Sequence, residues 1–256
     1  MRGLAAAAGL ALALAPAAAR AGAWPMAPGV TQAIFKYEAG RASDAVDRKG
    51  DRVDVPDVAD DDLSVFVERG LTRRLTLQAQ AGVTRGDDGF EENTGRGPIS
   101  LGLRYALLVN AGGRQVVSLY VGGTAPGVGR NAAYARPDQG RADGEVRLLY
   151  GRSWLLFGRE TYVDLEAARL FRSELADETR LDLTFGREVR RNWLLLSQAY
   201  LGEADTRPVS ARWIKLETGL VRRFGPWRVQ GGWRTTVTGR NVPLEGGPVV
   251  ALWRTF

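Results

Sequence analysis

Leu75-Thr76-Leu77-Gln78-Ala79-Gln80-Ala81-Gly82-Val83-Thr84 alternates apolar and polar side chains without a break. Successive strand residues point to opposite faces. Leu75, Leu77, Ala79, Ala81 and Val83 therefore share one face, and Thr76, Gln78, Gln80 and Thr84 the other. The pattern recurs down the chain. Leu181, Leu183 and Phe185 oppose Arg180, Asp182, Thr184 and Glu188; Val163, Leu165 and Ala167 oppose Tyr162, Asp164 and Glu166. Trp227, Val229, Gly231 and Trp233 oppose Arg228, Gln230 and Arg234. Each run has about nine to eleven residues, the length of a tilted strand that crosses a bilayer.

About twelve such segments follow from this reading, plus or minus two, an even number as single-chain bacterial barrels require. They begin near Thr31, Asp62, Leu75, Pro98, Gln115, Glu145, Glu160, Thr179, Asn192, Arg212, Trp227 and Gly247. Leu194, Leu195 and Leu196 blur the alternation of the ninth. Connections alternate between long and short. Gly40–Asp61, Arg85–Gly97, Pro126–Gly144, Arg172–Glu178, Gly202–Ser210 and Gly239–Gly246 are read as the long ones. The expected fold is all-β: a membrane-spanning antiparallel up-and-down β-barrel with long extracellular loops and short periplasmic turns. Such a barrel pairs every backbone N–H and C=O inside lipid and leaves no edge. Only every second strand residue need be apolar, in keeping with a mean hydropathy of −0.20. Trp154, Trp193, Trp213, Trp227 and Trp253 sit near strand ends, where amphipathic rings favour the membrane–water interface.

The N-terminus has the pattern of an export signal. Arg2 is followed by an uncharged Leu/Ala/Gly run from Leu4 to Ala15, then Pro16 and small residues. Ala19-Arg20-Ala21 fits the small-x-small rule and puts cleavage between Ala21 and Gly22; sites one or two residues either way also fit. Residues 1–21 are then a signal peptide, and 22–256 a barrel in the cell outer membrane. The apolar run is shorter than the about 20 residues needed to span a bilayer.

Composition narrows the chemistry. The 256 residues include no cysteine and no histidine. Ser-His-Asp and Cys-His nucleophiles cannot be assembled, nor can a zinc site of the usual His/Cys type. No catalytic residue, cofactor or metal is expected. Asp51, Asp54, Asp57, Asp60, Asp61 and Asp62 lack calcium-loop spacing, and Lys49 and Arg52 intervene, so a solvated acidic loop is the reading. The net charge is +6, with only Lys36, Lys49 and Lys215 as lysines. These charges are spread along the chain, which argues against nucleic acid as a partner.

Leu63-Ser64-Val65-Phe66-Val67-Glu68-Arg69-Gly70-Leu71-Thr72-Arg73-Arg74-Leu75-Thr76-Leu77 reads as strand, tight turn and strand. Its Glu-x-Gly-Leu-Thr-x-x-Leu core resembles a hairpin of small bacterial outer-membrane barrels. Among them are the phenol meta-cleavage pathway outer-membrane family and related small transporters and porins. The chain also ends in an apolar run, Val249-Val250-Ala251-Leu252-Trp253-Arg254-Thr255-Phe256. In the proteins it resembles, a terminal aromatic is read by the barrel-assembly machinery, which implies that role for Phe256. Arg254 stands where those proteins carry an aromatic or apolar residue. Trp253 is one place off, and this points to a bulge or register shift at the periplasmic rim.

With the apolar face in outer-membrane lipid, the polar face looks into the lumen. Arg104, Arg147, Asp164, Glu166, Arg180, Asp182, Lys215, Glu217, Arg228 and Arg234 are the lumen-lining candidates, with Lys36, Glu38, Glu68, Glu145 and Glu188 beside them. Arg180 with Asp182, Lys215 with Glu217, and Glu145 with Arg147 are adjacent on one face and expected to pair. Two readings follow: a narrow polar pore for small polar solutes, or a structural or surface-interaction barrel whose lumen is plugged by charge pairs. A soluble exported β-protein is a third.

Overall fold

The structure is a computed structural model that describes residues 22–87, 89–90, 92–127, 142–173, 176–206 and 209–256. The expected signal peptide, 1–21, and most of the Pro126–Gly144 connection lie outside the described residues. Among the described residues fourteen strands are formed: β1 (Thr31–Val46), β2 (Arg52–Gly70), β3 (Leu75–Asp87), β4 (Glu92–Arg96), β5 (Ile99–Val109), β6 (Gln115–Ala125) and β7 (Asp143–Leu156). They continue with β8 (Arg159–Phe171), β9 (Glu178–Arg190), β10 (Trp193–Thr206), β11 (Val209–Phe224), β12 (Trp227–Arg240), β13 (Val242–Pro243) and β14 (Gly246–Thr255). Twelve of them form the barrel wall; each pairs antiparallel with its neighbours, and β1 closes the circle between β2 and β14. Short β4 folds back on β3, and β13 caps β1. Eleven of the twelve expected starts fall within three residues of an observed one.

The exception is β2, which begins at Arg52, ten residues before the expected Asp62. Gly40–Asp61 is thus no open loop. β1 and β2 continue as a hairpin with register Asp44↔Asp54 and Val46↔Arg52, interrupted by a bulge between Ala42 and Asp44. Acidic residues stand on both faces here, so the period-two signal is lost although the backbone ladder persists. Cross-strand Arg41–Asp61 (3.0 Å) and Arg52–Asp44 (2.6 Å) pairs tie the hairpin. At its tip, Asp47 Oδ1 accepts the N–H groups of Lys49, Gly50 and Asp51 at 2.7, 2.9 and 2.9 Å. The N–H of Asp51 above all, with those of Lys49 and Gly50, holds this carboxyl below the usual carboxylate range. Gly202–Ser210 is likewise mostly strand, since β10 runs to Thr206 and β11 starts at Val209.

The outer face is apolar. Leu101, Leu103, Val121, Leu148, Leu183, Val229, Trp233 and Val250 are all exposed on it. In a soluble protein this band would be a severe aggregation hazard; in lipid it is the stable arrangement.

The C-terminal strand needs no bulge. Its pairing runs unbroken from Gln32↔Thr255 to Glu38↔Val249 on one side and from Trp227↔Arg254 to Thr235↔Gly246 on the other. Val250 and Leu252 face outward, whereas Val249, Ala251 and Trp253 are buried inside. Arg254 takes an outward place as an aromatic partner: its guanidinium lies 4.4 Å from the Trp227 ring centroid and 4.8 Å from that of Phe256. The expected register shift is therefore absent. Trp213 and Trp253 are also buried in the interior, so these two rings belong to no lipid-facing girdle.

Candidate functional site

The barrel interior has three levels. The lowest, at the periplasmic end, is filled. Residues before β1 turn back into the lumen, and Ala23 and Trp24 are buried there. Pro25 and Pro28 lack backbone donors, and Gly22–Ala27 join no strand. Wall side chains fasten this strap instead. Asp164 on β8 accepts the Ala23 N–H at 2.7 Å. Ser118 on β6 donates to the Ala23 carbonyl at 2.6 Å. Arg104 on β5 donates to the Trp24 carbonyl at 2.6 Å, and Thr76 on β3 accepts from the Met26 N–H at 3.0 Å. The Trp24 indole donates to the Gly113 carbonyl at 3.1 Å and meets Tyr162 edge-on, with centroids 6.1 Å apart.

Around the strap the inner face of the wall also carries apolar side chains. Ala106, Val116, Leu149, Leu196, Val221, Ala251 and Trp253 form one buried cluster with Ala23, Trp24, Tyr120 and Tyr162. Glycines make the room. A Cβ on Gly151 would lie 2.7 Å from the Trp24 ring, and one on Gly70 would collide with the Ala27 carbonyl. This gives the Glu-x-Gly-Leu-Thr turn a local rationale. Gly70 lets the strap pass, Thr72 Oγ1 accepts the N–H groups of Arg74 and Leu75 at 3.2 and 3.0 Å, and Glu68 accepts from Arg104 at 2.6 Å.

Above the strap lies a belt of ion pairs. Arg234 bonds Glu217 at 2.6 Å and also reaches Glu38. Lys36 pairs with Glu38 and, at 3.3 Å, with Glu217. On the opposite wall Arg147 pairs with Glu145 at 2.7 Å and Glu166 at 3.6 Å. Arg147 and Arg234 each stack 4.6 Å above a tyrosine ring, Tyr120 and Tyr200.

The top level is a vestibule of about 450 Å³. Glu38, Asp62, Asp182, Arg180, Lys215 and Arg234 line it, among others.

No family model matches the chain, and no curated protein matches it. Solved structures do. The COG4313 outer membrane channel from Pseudomonas putida F1 matches with a TM-score of 0.71 at 16% identity, over 93% of this chain and 99% of that one. The NanC porin matches with 0.53 at 7% identity, over 86% and 98%. The translocator domain of the autotransporter NalP from Neisseria meningitidis gives 0.51 at 12%, over 90% of each chain. The fold is that of a bacterial outer-membrane β-barrel. Its apolar outer belt places it in that membrane.

Within this outer-membrane barrel the candidate residues are distributed over all three levels. Arg104 and Asp164 are at the bottom, buried against the strap. Arg147, Glu166, Glu217 and Arg234 form the belt, and Arg180, Asp182 and Lys215 reach the vestibule. Arg228 stands next to Trp227 at the start of β12, near the periplasmic rim. Of the expected same-face pairs, Glu145–Arg147 forms. The other two do not. Arg180 pairs with Glu178, and Lys215 pairs with Glu245 at 3.0 Å, because Glu217 is taken by Arg234 and Lys36. Arg180 thus keeps to its own face of β9 but turns to the carboxylate two residues back, whereas Lys215 reaches past its own strand.

Sequence reading missed the strap. Its trace was there: Trp24, Pro25 and Pro28 lie between the cleavage pattern and the first strand and belong to neither.

Proposed function

We propose that this barrel is a narrow polar passage for small solutes, closed at its periplasmic end by its own N-terminal strap, and that it carries no enzymatic activity. One observation carries the reading: a charge-lined vestibule stands, with the belt between, over a strap that is fastened by side chains rather than woven into the wall. Breaking a few such bonds, each worth about 0.5–3 kcal/mol net with those to Asp164 and Arg104 at the upper end, leaves the ladder of the wall intact. The belt limits the bore and carries both signs. Solutes are then small and polar, and ion preference is modest. The belt's pairing also supports the alternative of a structural barrel that never opens.

The chain has no native cysteine, so an engineered pair is unambiguous. Ala23→Cys with Ser118→Cys joins the strap to β6 where the native residues already touch. Liposomes carrying the reduced variant should swell in an isosmotic solution of a small amino acid, and oxidation should abolish swelling. Equal swelling in both states puts the path elsewhere; none in either state favours the structural barrel.

A further inference from the structure

We infer that the barrel holds a receptor for its own processed amino terminus. Hydrolysis of the Ala21–Gly22 bond leaves a Gly22 ammonium, and this ammonium is the counter-charge of the buried Asp164 carboxylate.

Asp164 points into the filled end of the lumen and is 2% exposed. A buried carboxylate is unfavourable without an opposite charge. None of the basic side chains among the described residues forms an ion pair with it. Arg104 is held by Glu68 and the Trp24 carbonyl, and Arg147 by Glu145 and Glu166. What Asp164 does receive is the Ala23 N–H at 2.7 Å. Glu166, two residues on along the same face, shares a side-chain hydrogen bond with Asp164 but brings a second carboxyl rather than a cation.

Gly22 lies directly against this carboxylate. A Cβ on Gly22 would fall onto both Asp164 oxygens, and the residue has φ +88°, a conformation that favours glycine. The Gly22 nitrogen is one bond from the Cα that faces Asp164. In the uncut chain that nitrogen is a neutral amide. Cleavage changes this: water adds hydroxyl to the Ala21 carbonyl carbon and a proton to the Gly22 nitrogen, which takes a second proton and becomes an ammonium. The small-x-small pattern Ala19-Arg20-Ala21 ends at this same bond. The cleavage pattern and a buried carboxyl that no basic side chain among the described residues pairs with are independent observations, and both point to Gly22. It follows that the strap is fully fastened only after export. The inference extends the strap reading but needs no conduction.

The test is labelling of the α-amine in folded protein. The chain is purified from outer membranes, acetylated at neutral pH with an amine-reactive ester, and its N-terminal peptide is followed by mass spectrometry. The peptide should begin at Gly22. An adjacent carboxylate favours the charged, unreactive amine, so Gly22 should acetylate about ten-fold more slowly than in Asp164→Asn. Heat-modifiable migration reports whether that variant is folded. A second comparison needs no substitution in the wall: a refolded chain that retains Ala19-Arg20-Ala21 should acetylate at the fast rate, one that begins at Gly22 at the slow rate. A native terminus other than Gly22, or equal rates in these comparisons, overturns the proposal. Because conductance is not the readout, a slow amine in a non-conducting barrel would uphold the receptor and defeat the passage alone.

Discussion

Leu183 and Asp182 are neighbours on β9 that meet opposite solvents. Leu183 is exposed on the lipid face, while Asp182 lines the vestibule. Leu183→Arg places a cation in hydrocarbon and should cost roughly 2–4 kcal/mol if the site is near the midplane. Asp182→Asn should cost less, since water reaches the vestibule and Asp182 holds no ion pair among the described residues. Reversible unfolding into lipid measures both, and the reverse order would contradict the assignment of faces. The sequence is legible at this scale wherever one face meets lipid and the other water. It is illegible where both faces are apolar. Leu196 is buried inside and Leu194 packs partly buried on the same cluster, while Leu195 takes the opposite face of the strand. Three leucines in a row therefore hide an alternation that the backbone still obeys.

Among the elements, β14 joins the end of the chain to its beginning. Phe256 N–H donates to the Thr31 carbonyl at 2.8 Å, and the Phe256 ring, itself exposed, receives the Arg254 guanidinium. The seam between β1 and β14 is the last closure of the wall. Deleting Phe256 should lower the amount of heat-modifiable, membrane-inserted protein, both by shortening the seam and by removing the aromatic end that resembles an assembly signal. Undiminished insertion would show that β14 is recognised through its other residues. Eleven strand starts could be read from alternation and turn residues because those signals are local. The β1–β2 hairpin could not, since its backbone ladder continues where hydrophobic periodicity is absent. The partners of Lys215 and Glu217 were hidden for a related reason: they lie beyond their own strand; Arg180 instead takes Glu178, two residues back on its own face of β9, rather than Asp182 two residues on.

Over the whole molecule, the interior changes character from one end to the other. The vestibule is polar, the belt is paired charge, and the periplasmic end joins an apolar cluster to buried polar groups that hold the strap. A barrel of twelve strands lies between those filled by their own side chains and those that leave an aqueous channel. Here both regimes occur in one wall. If the barrel is the passage proposed above, the core that fills its periplasmic end would obstruct it, and the strap would decide whether it conducts. Single-channel recording in planar bilayers tests this directly, with the native chain beside one lacking Trp24–Pro28. The native barrel should rest closed with brief, small openings, and the shortened one should stay open at a higher conductance. Identical traces from the two, whether silent or open, would contradict it.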